Sequence, residues 1–279
     1  MKYRLFACDL DGTLLDDDKR ISATNLESIR QARERGVSVV ITTGRSHTKA
    51  QNYILEAGGT DPAIVFTGAV VYQGGGVIRE KTLERDIVGD IIRLLKELDY
   101  PPVIYPADNN KYYESFGRYQ EEYQSFSSGF DGSLIRVNDL EKRSFEDVIR
   151  ISVIGNEYDM SLLHREIKHR FGSSVNSVDT YFKETGVSIF EVLDAESSKS
   201  QALEFLCDRL DIEREEVIAC GDNNNDIDML RWAGLGVCMK NGMEEAIRVA
   251  DYVTSRSNNE DGVSEALEKF VLGQASTPS

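Results

Sequence analysis

Among 279 residues there are only four cysteines, five prolines, three histidines and one tryptophan. Cys8, Cys207, Cys220 and Cys238 show no paired spacing and each lies in an apolar stretch. That excludes a disulfide framework and a thiolate metal site, and predicts buried free thiols in a reducing cytoplasm. His47, His164 and His169 are scattered, and the last two, five apart, share no helical metal face. Surface or satisfied-core histidines are expected. Nowhere do 18 apolar residues run together, so no bilayer span is expected. The first apolar run, Leu5 to Cys8, stops at Asp9, too short for a secretory signal. Positive charge is scarce as well: 32 Lys and Arg stand against 48 Asp and Glu, a net charge of −16. No segment hides a basic face, since residues 83 to 188 carry 13 basic and 19 acidic side chains and the remainder 19 and 29. A nucleic acid or an anionic membrane would be repelled by either part, so any phosphate must be held locally by backbone amides, single cations or a metal.

What is present is an ordinary globular composition, 41% hydrophobic and 29% charged, long enough for one large domain or two modest ones. Short apolar runs at Tyr3 to Cys8, Val37 to Ile41, Ala63 to Phe66, Val217 to Cys220 and Leu235 to Cys238 suit strands buried on both faces. Between the first two lies a helix with Ser22 as N-cap, Leu26, Ile29 and Ala32 on one face, and Gly36 as terminator. A second helix is predicted from Ser200 to Leu210. The alternation predicts an α/β fold, a doubly wound parallel sheet with a Rossmann-like core, over residues 1–82 and 188–279. Residues 83–187 read as an inserted α+β cap domain, with helices at Ile87 to Leu98 and Met160 to Phe171 and strands at Val103 to Tyr105, Tyr112 to Tyr113 and Val148 to Ile154. This part holds 14 of the 24 aromatic residues, which predicts a core of its own. Tyr112, Phe116, Tyr119, Tyr123, Phe126 and Phe130 step at helical spacing and read as a core-facing stripe in preference to a substrate-stacking wall, although Gly117 and Gly129 weaken the case for a helix. Gly74 to Gly76 reads as a hairpin turn, and Gly273 to Ser279 as a disordered tail.

Polar residues fall where the strands end: Asp9-Leu10-Asp11-Gly12-Thr13 after the first, Thr42-Thr43-Gly44-Arg45 after the second, and Gly221-Asp222-Asn223-Asn224-Asn225-Asp226 after the strand at Val217. Ligands of open α/β sheets bind outside the carboxyl ends of the strands, so these segments are expected to converge with four carboxylates in one pocket. Two unit charges about 4 Å apart repel by roughly 4 kcal/mol at an effective dielectric of about 20, so the cluster needs a cation. All-oxygen ligands select Mg²⁺ over softer metals. A site of that kind beside exposed backbone amides of Thr43 and Gly44 suits a phosphate. Of Asp9 and Asp11, one carboxylate would attack phosphorus and the other would protonate the leaving alcohol and then activate water. Lys199 would balance the spreading charge.

These segments resemble the haloacid dehalogenase superfamily, in particular the Cof-like phosphatases with a large α+β cap. Asp9-Leu10-Asp11-Gly12-Thr13 is similar to the first motif, Thr43-Gly44-Arg45 to the second, Lys199 to the third, and Gly221-Asp222 with Asn225-Asp226 and Met229 to the fourth. Asn241-Gly242 through Glu260-Asp261-Gly262-Val263 is similar to the closing segment. The resemblance implies Asp9 as nucleophile and metal ligand, and Asp11 as general acid and base with its backbone carbonyl on the metal. It implies Asp222 and Asp226 as further metal carboxylates, and Thr43, Lys199 and Asn225 on the phosphoryl oxygens. The chain departs from the family's usual pattern at Ser200, where Gly is usual, and at Thr67, where Asn is usual.

The expectation is therefore a cytoplasmic Mg²⁺-dependent phosphatase, monomer or homodimer, acting through an aspartyl-phosphate on a sugar phosphate, nucleotide or phosphorylated cofactor, with the cap closing over the crevice to select it. A phosphomutase or phosphotransferase acting on a hexose phosphate with the same core would need a second phosphate grip in the cap, for which Arg118, Arg136, Arg143, Arg150 and Lys183 are available. A non-catalytic Mg²⁺- and phosphate-binding regulatory module would have no use for Asp11 as a proton donor.

Overall fold

In a computed structural model, which describes residues 2–59, 62–127, 133–183 and 185–273, the chain divides into two compact units, residues 1–79 with 198–279 and residues 80–197. The first unit opens with β1 (Leu5–Cys8), α1 (Ala23–Glu34), β2 (Ser38–Thr42), α2 (His47–Glu56), β3 (Ala63–Val65), β4 (Val70–Gln73) and β5 (Gly76–Glu80). Ser22 caps α1 by accepting the Asn25 N–H at 3.0 Å, and Gly36, at φ +82°, takes the left-handed turn that ends it. Gly74 and Gly75, both at positive φ, make the tight turn between β4 and β5.

The second unit contains α3 (Arg85–Glu97), β6 (Val103–Pro106), β7 (Lys111–Tyr113), α4 (Gln120–Ser127), β8 (Leu134–Arg136), β9 (Val148–Gly155), α5 (Glu157–Phe171), β10 (Val175–Phe182) and β11 (Val187–Asp194). Its sheet runs β10-β11-β9-β6-β7-β8, antiparallel except for β7 with β8. Ile91 and Leu95 of α3 and Leu163 and Ile167 of α5 cover one face, packing with Ile104, Ile151, Val153 and Phe190. Because β11 pairs with β9 and β10, this unit extends to Ser197, ten residues beyond the boundary expected from the sequence.

The aromatic stripe is not one helix. Tyr112 lies in β7, Gly117 turns the chain at φ +54°, and α4 starts only at Gln120. The rings of Tyr113, Phe116 and Tyr123 stack in sequence at 4.3 and 4.5 Å. The Phe126 side chain and Phe130 lie outside the described residues, as do residues 274–279 of the expected tail.

The first unit resumes with α6 (Lys199–Leu210), β12 (Val217–Gly221), α7 (Ile227–Trp232), β13 (Leu235–Cys238), α8 (Glu244–Val249), β14 (Tyr252–Val253) and α9 (Gly262–Leu267). Its eight strands run β14-β13-β12-β1-β2-β3-β4-β5, parallel from β14 to β3. Leu5, Ala7, Val40, Ile64, Ala202, Leu203 and Leu206 belong to the core under one face. The chain leaves β1 toward β2 on one side and returns through β12 on the other. The gap between the carboxyl ends of β1 and β12 is therefore the switch point where a ligand crevice forms in such sheets. All four cysteines are free and buried, and none of the described helices is long and apolar enough to cross a membrane.

Candidate active site

Asp9 is the first residue past β1, and its N–H donates to the Cys220 carbonyl at 3.0 Å, continuing the β1–β12 ladder by one step. Asp222 is the first residue past β12, and the one-turn helix Asn224–Asp226 carries Asp226 back beneath it. Ligand oxygens of Asp9, Asp222 and Asp226 lie within 4.8 Å of one another, and all three residues are buried. The approach has required glycine on both sides: a Cβ at Gly12 would collide with the Asp222 carboxylate, and one at Gly221 would stand 2.5 Å from Cγ of Asp226.

Lys199, fully buried at the start of α6, donates to Asp9 Oδ1 at 2.7 Å and to Asp226 Oδ1 at 2.5 Å. The second Asp226 oxygen accepts the N–H groups of Asp222 and Asn223, each at 2.9 Å. The Thr13 hydroxyl donates to Asp222 Oδ1 at 2.7 Å. Burial pushes the Asp9 carboxyl up to about 7 against the pull of Lys199, and burial with the charges of Asp226 and Asp9 pushes Asp222 well above its usual range. Lys199 is held above its usual value because two carboxylates outweigh the cost of its burial. One ammonium against three carboxylates leaves a formal charge of −2. The donor set, hard oxygens only and one divalent charge short of neutrality, fits a divalent cation.

Asp11 is placed differently from the expected fourth carboxylate of the pocket. Its two oxygens accept from Nε and Nη2 of Arg45 at 2.6 Å each, and Lys19 adds a contact at 3.1 Å. Burial works against its charge, but Arg45 and Lys19 outweigh it and hold the carboxyl below its usual range. The Arg45 guanidinium lies over the Tyr53 ring at 5.0 Å, and the Tyr53 hydroxyl donates to the Lys19 carbonyl at 3.1 Å. Lys19 reaches Asp11 from a left-handed turn at φ +61°, a geometry that residue spacing does not announce.

Thr43 follows β2, and its N–H is used by the β2–β3 ladder, donating to the Ile64 carbonyl at 2.9 Å. It is therefore not the exposed amide that the sequence suggested. Its hydroxyl accepts the Arg45 N–H at 3.2 Å and keeps a proton to donate. Gly44 and Asn225 are close: a Cβ on Gly44 would stand 3.7 Å from Asn225 Nδ2. Phe66 and Thr67 after β3 sit at φ +50° and +54°, conformations that cost side-chain-bearing residues on the order of 1–3 kcal/mol each.

Sequence reasoning assigned no role to Asn241. Its Nδ2 donates to the Gly12 carbonyl at 2.8 Å while its Oδ1 accepts the Asn258 N–H at 2.9 Å, and Asn258 Nδ2 donates to the Leu15 carbonyl at 3.0 Å. The closing segment thus ties down the loop between Asp11 and α1. Four of the five cap cations considered for a second phosphate grip are engaged within their own unit. Arg118 approaches Asp159 at 3.6 Å, Arg136 donates to the Glu114 carbonyl at 3.0 Å, Arg143 lies over the Tyr112 ring at 4.2 Å and Arg150 pairs with Glu191. His47 stacks on Tyr72, His164 bonds Ser177 and Asp179, and His169 is exposed.

A sequence profile described as haloacid dehalogenase-like hydrolase matches residues 6–267. The chain is 29% identical over 274 residues to the 5-amino-6-(5-phospho-D-ribitylamino)uracil phosphatase YitU of Bacillus subtilis (strain 168), covering 96% of this chain and 98% of that one. It is 28% identical over 268 residues to the phosphoglycolate phosphatase of Methanothermobacter thermautotrophicus, covering 96% and 99%. The crystal structure of TM0651 from Thermotoga maritima superposes with a TM-score of 0.74 at 30% identity, over 96% of this chain and 97% of that one.

Proposed function

The chain belongs to the haloacid dehalogenase-like hydrolases, and from that premise we propose that it is a Mg²⁺-dependent phosphatase that hydrolyses small phosphomonoesters through an aspartyl-phosphate on Asp9. The observation that carries this reading is the meeting of ligand oxygens of Asp9, Asp222 and Asp226 within 4.8 Å of one another, with the ammonium of Lys199 on Asp9 and Asp226. Named phosphatases among full-length relatives support it.

In this reading Asp9, Asp222 and Asp226, with the backbone carbonyl of Asp11, hold Mg²⁺, which supplies positive charge to a phosphoryl oxygen. Asp9 attacks phosphorus, the bond from phosphorus to the ester oxygen breaks, and the leaving oxygen takes a proton from Asp11. Water then attacks the acyl phosphate, Asp11 takes a proton from it, and inorganic phosphate leaves with Asp9 restored. The two steps ask opposite things of Asp11. Pairing with Arg45 and Lys19 favours its ionised form, suited to the second step. For the first step the carboxyl carries a proton and turns away from Arg45. Lys199 favours the ionised form of Asp9, orients it and balances charge on the equatorial oxygens, while the hydroxyl of Thr43 and the amide of Asn225 donate to those oxygens. The second unit supplies none of these groups, and we assign to it the choice of leaving group.

Phosphate release by the purified protein from a panel of phosphomonoesters, including a generic aryl phosphate, with Mg²⁺ and then with excess chelator, tests the proposal. Release that stops on chelation is expected. A panel with no turnover in Mg²⁺ would overturn it.

A further inference from the structure

The turn after β3 takes conformations that glycine adopts freely and threonine resists. Phe66, Thr67 and Gly68 have φ of +50°, +54° and +96° in succession. A β-branched residue in the left-handed region is an outlier, because its Cβ is driven toward the backbone carbonyl. The surroundings hold it there. The Phe66 N–H donates to the Arg45 carbonyl at 2.9 Å and the Thr67 N–H to the Thr43 carbonyl at 3.1 Å, which fastens the turn to the loop after β2. Gly68 lies so near Ser198 that a Cβ would collide with the Ser198 carbonyl, which sets the turn against the segment carrying Lys199.

Thr67 is 2% exposed. Its Oγ1 and Nδ2 of Asn225 stand 3.3 and 3.7 Å from the place a Cβ on Gly44 would occupy. Asn225 is buried too, and its Oδ1 has no hydrogen-bond partner among the described residues. The turn that carries this strained residue therefore meets separate segments: Thr43–Gly44 through Thr67, and the Ser198–Lys199 backbone through Gly68, with Asn225 beside Gly44. Backbone strain that persists beside a set of convergent polar groups points to a constraint other than folding.

We propose that Thr67 is a further phosphate-binding residue, its hydroxyl donating to a phosphoryl oxygen beside Thr43, Lys199 and Asn225, an inference that rests on the phosphatase reading. The hydroxyl explains why glycine, which would relax the turn, is not found there.

Three substitutions separate the hydroxyl from the strain. Thr67→Ala removes the hydroxyl and keeps a Cβ at positive φ, Thr67→Gly removes both, and Thr67→Ser keeps the hydroxyl. The readouts are melting temperature, the Kd for inorganic phosphate in Mg²⁺ by calorimetry, and kcat/KM for an aryl phosphate. Thr67→Ala and Thr67→Gly are expected to melt at or above the wild-type temperature, to bind phosphate about tenfold more weakly and to lose kcat/KM by about tenfold or more. Thr67→Ser is expected to recover most of that loss. Wild-type phosphate affinity in the alanine and glycine variants would overturn the inference, as would a loss that serine does not recover. If the wild type turns over esters and the variants match it, the inference alone fails. If the wild type binds phosphate through Thr67 and hydrolyses nothing, the phosphatase reading alone fails. A wild type that neither binds phosphate nor turns over esters overturns both.

Discussion

Replacing Lys199 by methionine keeps the length and apolar stem of the side chain and deletes one charge. The ammonium sits 2.7 Å from an Asp9 oxygen and 2.5 Å from an Asp226 oxygen, with no exposed surface. Charge centres about 4 Å apart at an effective dielectric of about 20 attract by roughly 4 kcal/mol, so two such pairs give roughly 8 kcal/mol, against which stands the several kcal/mol needed to bury the ammonium. The pair as a whole contributes little, but removing one partner leaves the carboxylates buried without it, a loss of about 3–5 kcal/mol. In a unit of this size that lowers the melting temperature by roughly 6–20 °C. The loss should be largest with chelator at pH 8. At pH 5 it should shrink, because the Asp9 carboxyl, already pushed up to about 7, is then protonated and one repelling charge is gone. Saturating Mg²⁺ should stabilise Lys199→Met by more than it stabilises the wild type, since the variant cluster is one charge more negative. Thermal melts of both proteins at pH 5 and 8, with Mg²⁺ and with chelator, supply the numbers. A change of under about 2 °C in chelator, or equal stabilisation of both proteins by Mg²⁺, would refute the electrostatic account.

Asp9→Asn should lower kcat by at least about 10⁴-fold without lowering the melting temperature, because the amide is nearly isosteric, removes a charge that burial disfavours and is a poor nucleophile; stopped assays on an aryl phosphate measure the rate and thermal melts the stability. Asp11→Asn should lower kcat by about 10²–10⁴-fold while sparing Mg²⁺ affinity, measured by calorimetry, since its side chain is held by Arg45 and not by the carboxylate cluster. In the second unit, Asp159 is the acceptor of the Tyr100 and Tyr119 hydroxyls and of the Asn156 N–H, the last as part of the capping box that starts α5. Burial opposes its charge, but these donors and Arg118 outweigh it and hold its carboxyl below the usual value. A depressed carboxyl contributes stability that is present above its unfolded pKa and is lost as pH falls through the folded one. Acid unfolding of the second unit should therefore begin at higher pH in Asp159→Asn, and the difference in stability between the two proteins should shrink as pH falls and the Asp159 carboxyl is protonated; near-ultraviolet circular dichroism through an acid titration reads both.

Much of the catalytic unit was legible because its local signals agree with its global pairing. Ser22 and Gly36 bracket α1 as cap and terminator, and Leu235–Cys238 forms β13 over the span its apolar run suggested. Asp9, Thr43 and Asp222 were readable from their places just beyond strands, because the carboxyl-end rule turns position in the chain into position in space. What the residues alone did not show depends on backbone paths between distant segments. Asp11 meets Arg45 and Lys19 through a left-handed turn, and Asn241 reaches Gly12 across 229 residues. The strand Val187–Asp194 is apolar enough for either sheet, and only its pairing with β9 and β10 assigns it to the second unit. The aromatic stripe misled because steps of three and four suit a helix as well as a strand and loop whose rings stack on one another, as Tyr113, Phe116 and Tyr123 do.

The covalent step on Asp9 is the claim from which the rest follows. Rapid quenching of the enzyme in acid during turnover of a phosphoryl-labelled ester, followed by digestion and peptide mapping, reads it directly. The account predicts a hydroxylamine-labile phosphoryl label on the peptide containing Asp9, formed at a rate no slower than turnover and absent from Asp9→Asn. Sustained turnover with the label on another residue, or with no labelled protein at any quench time while labelled phosphate accumulates without a burst in Asp9→Asn as in the wild type, would contradict it.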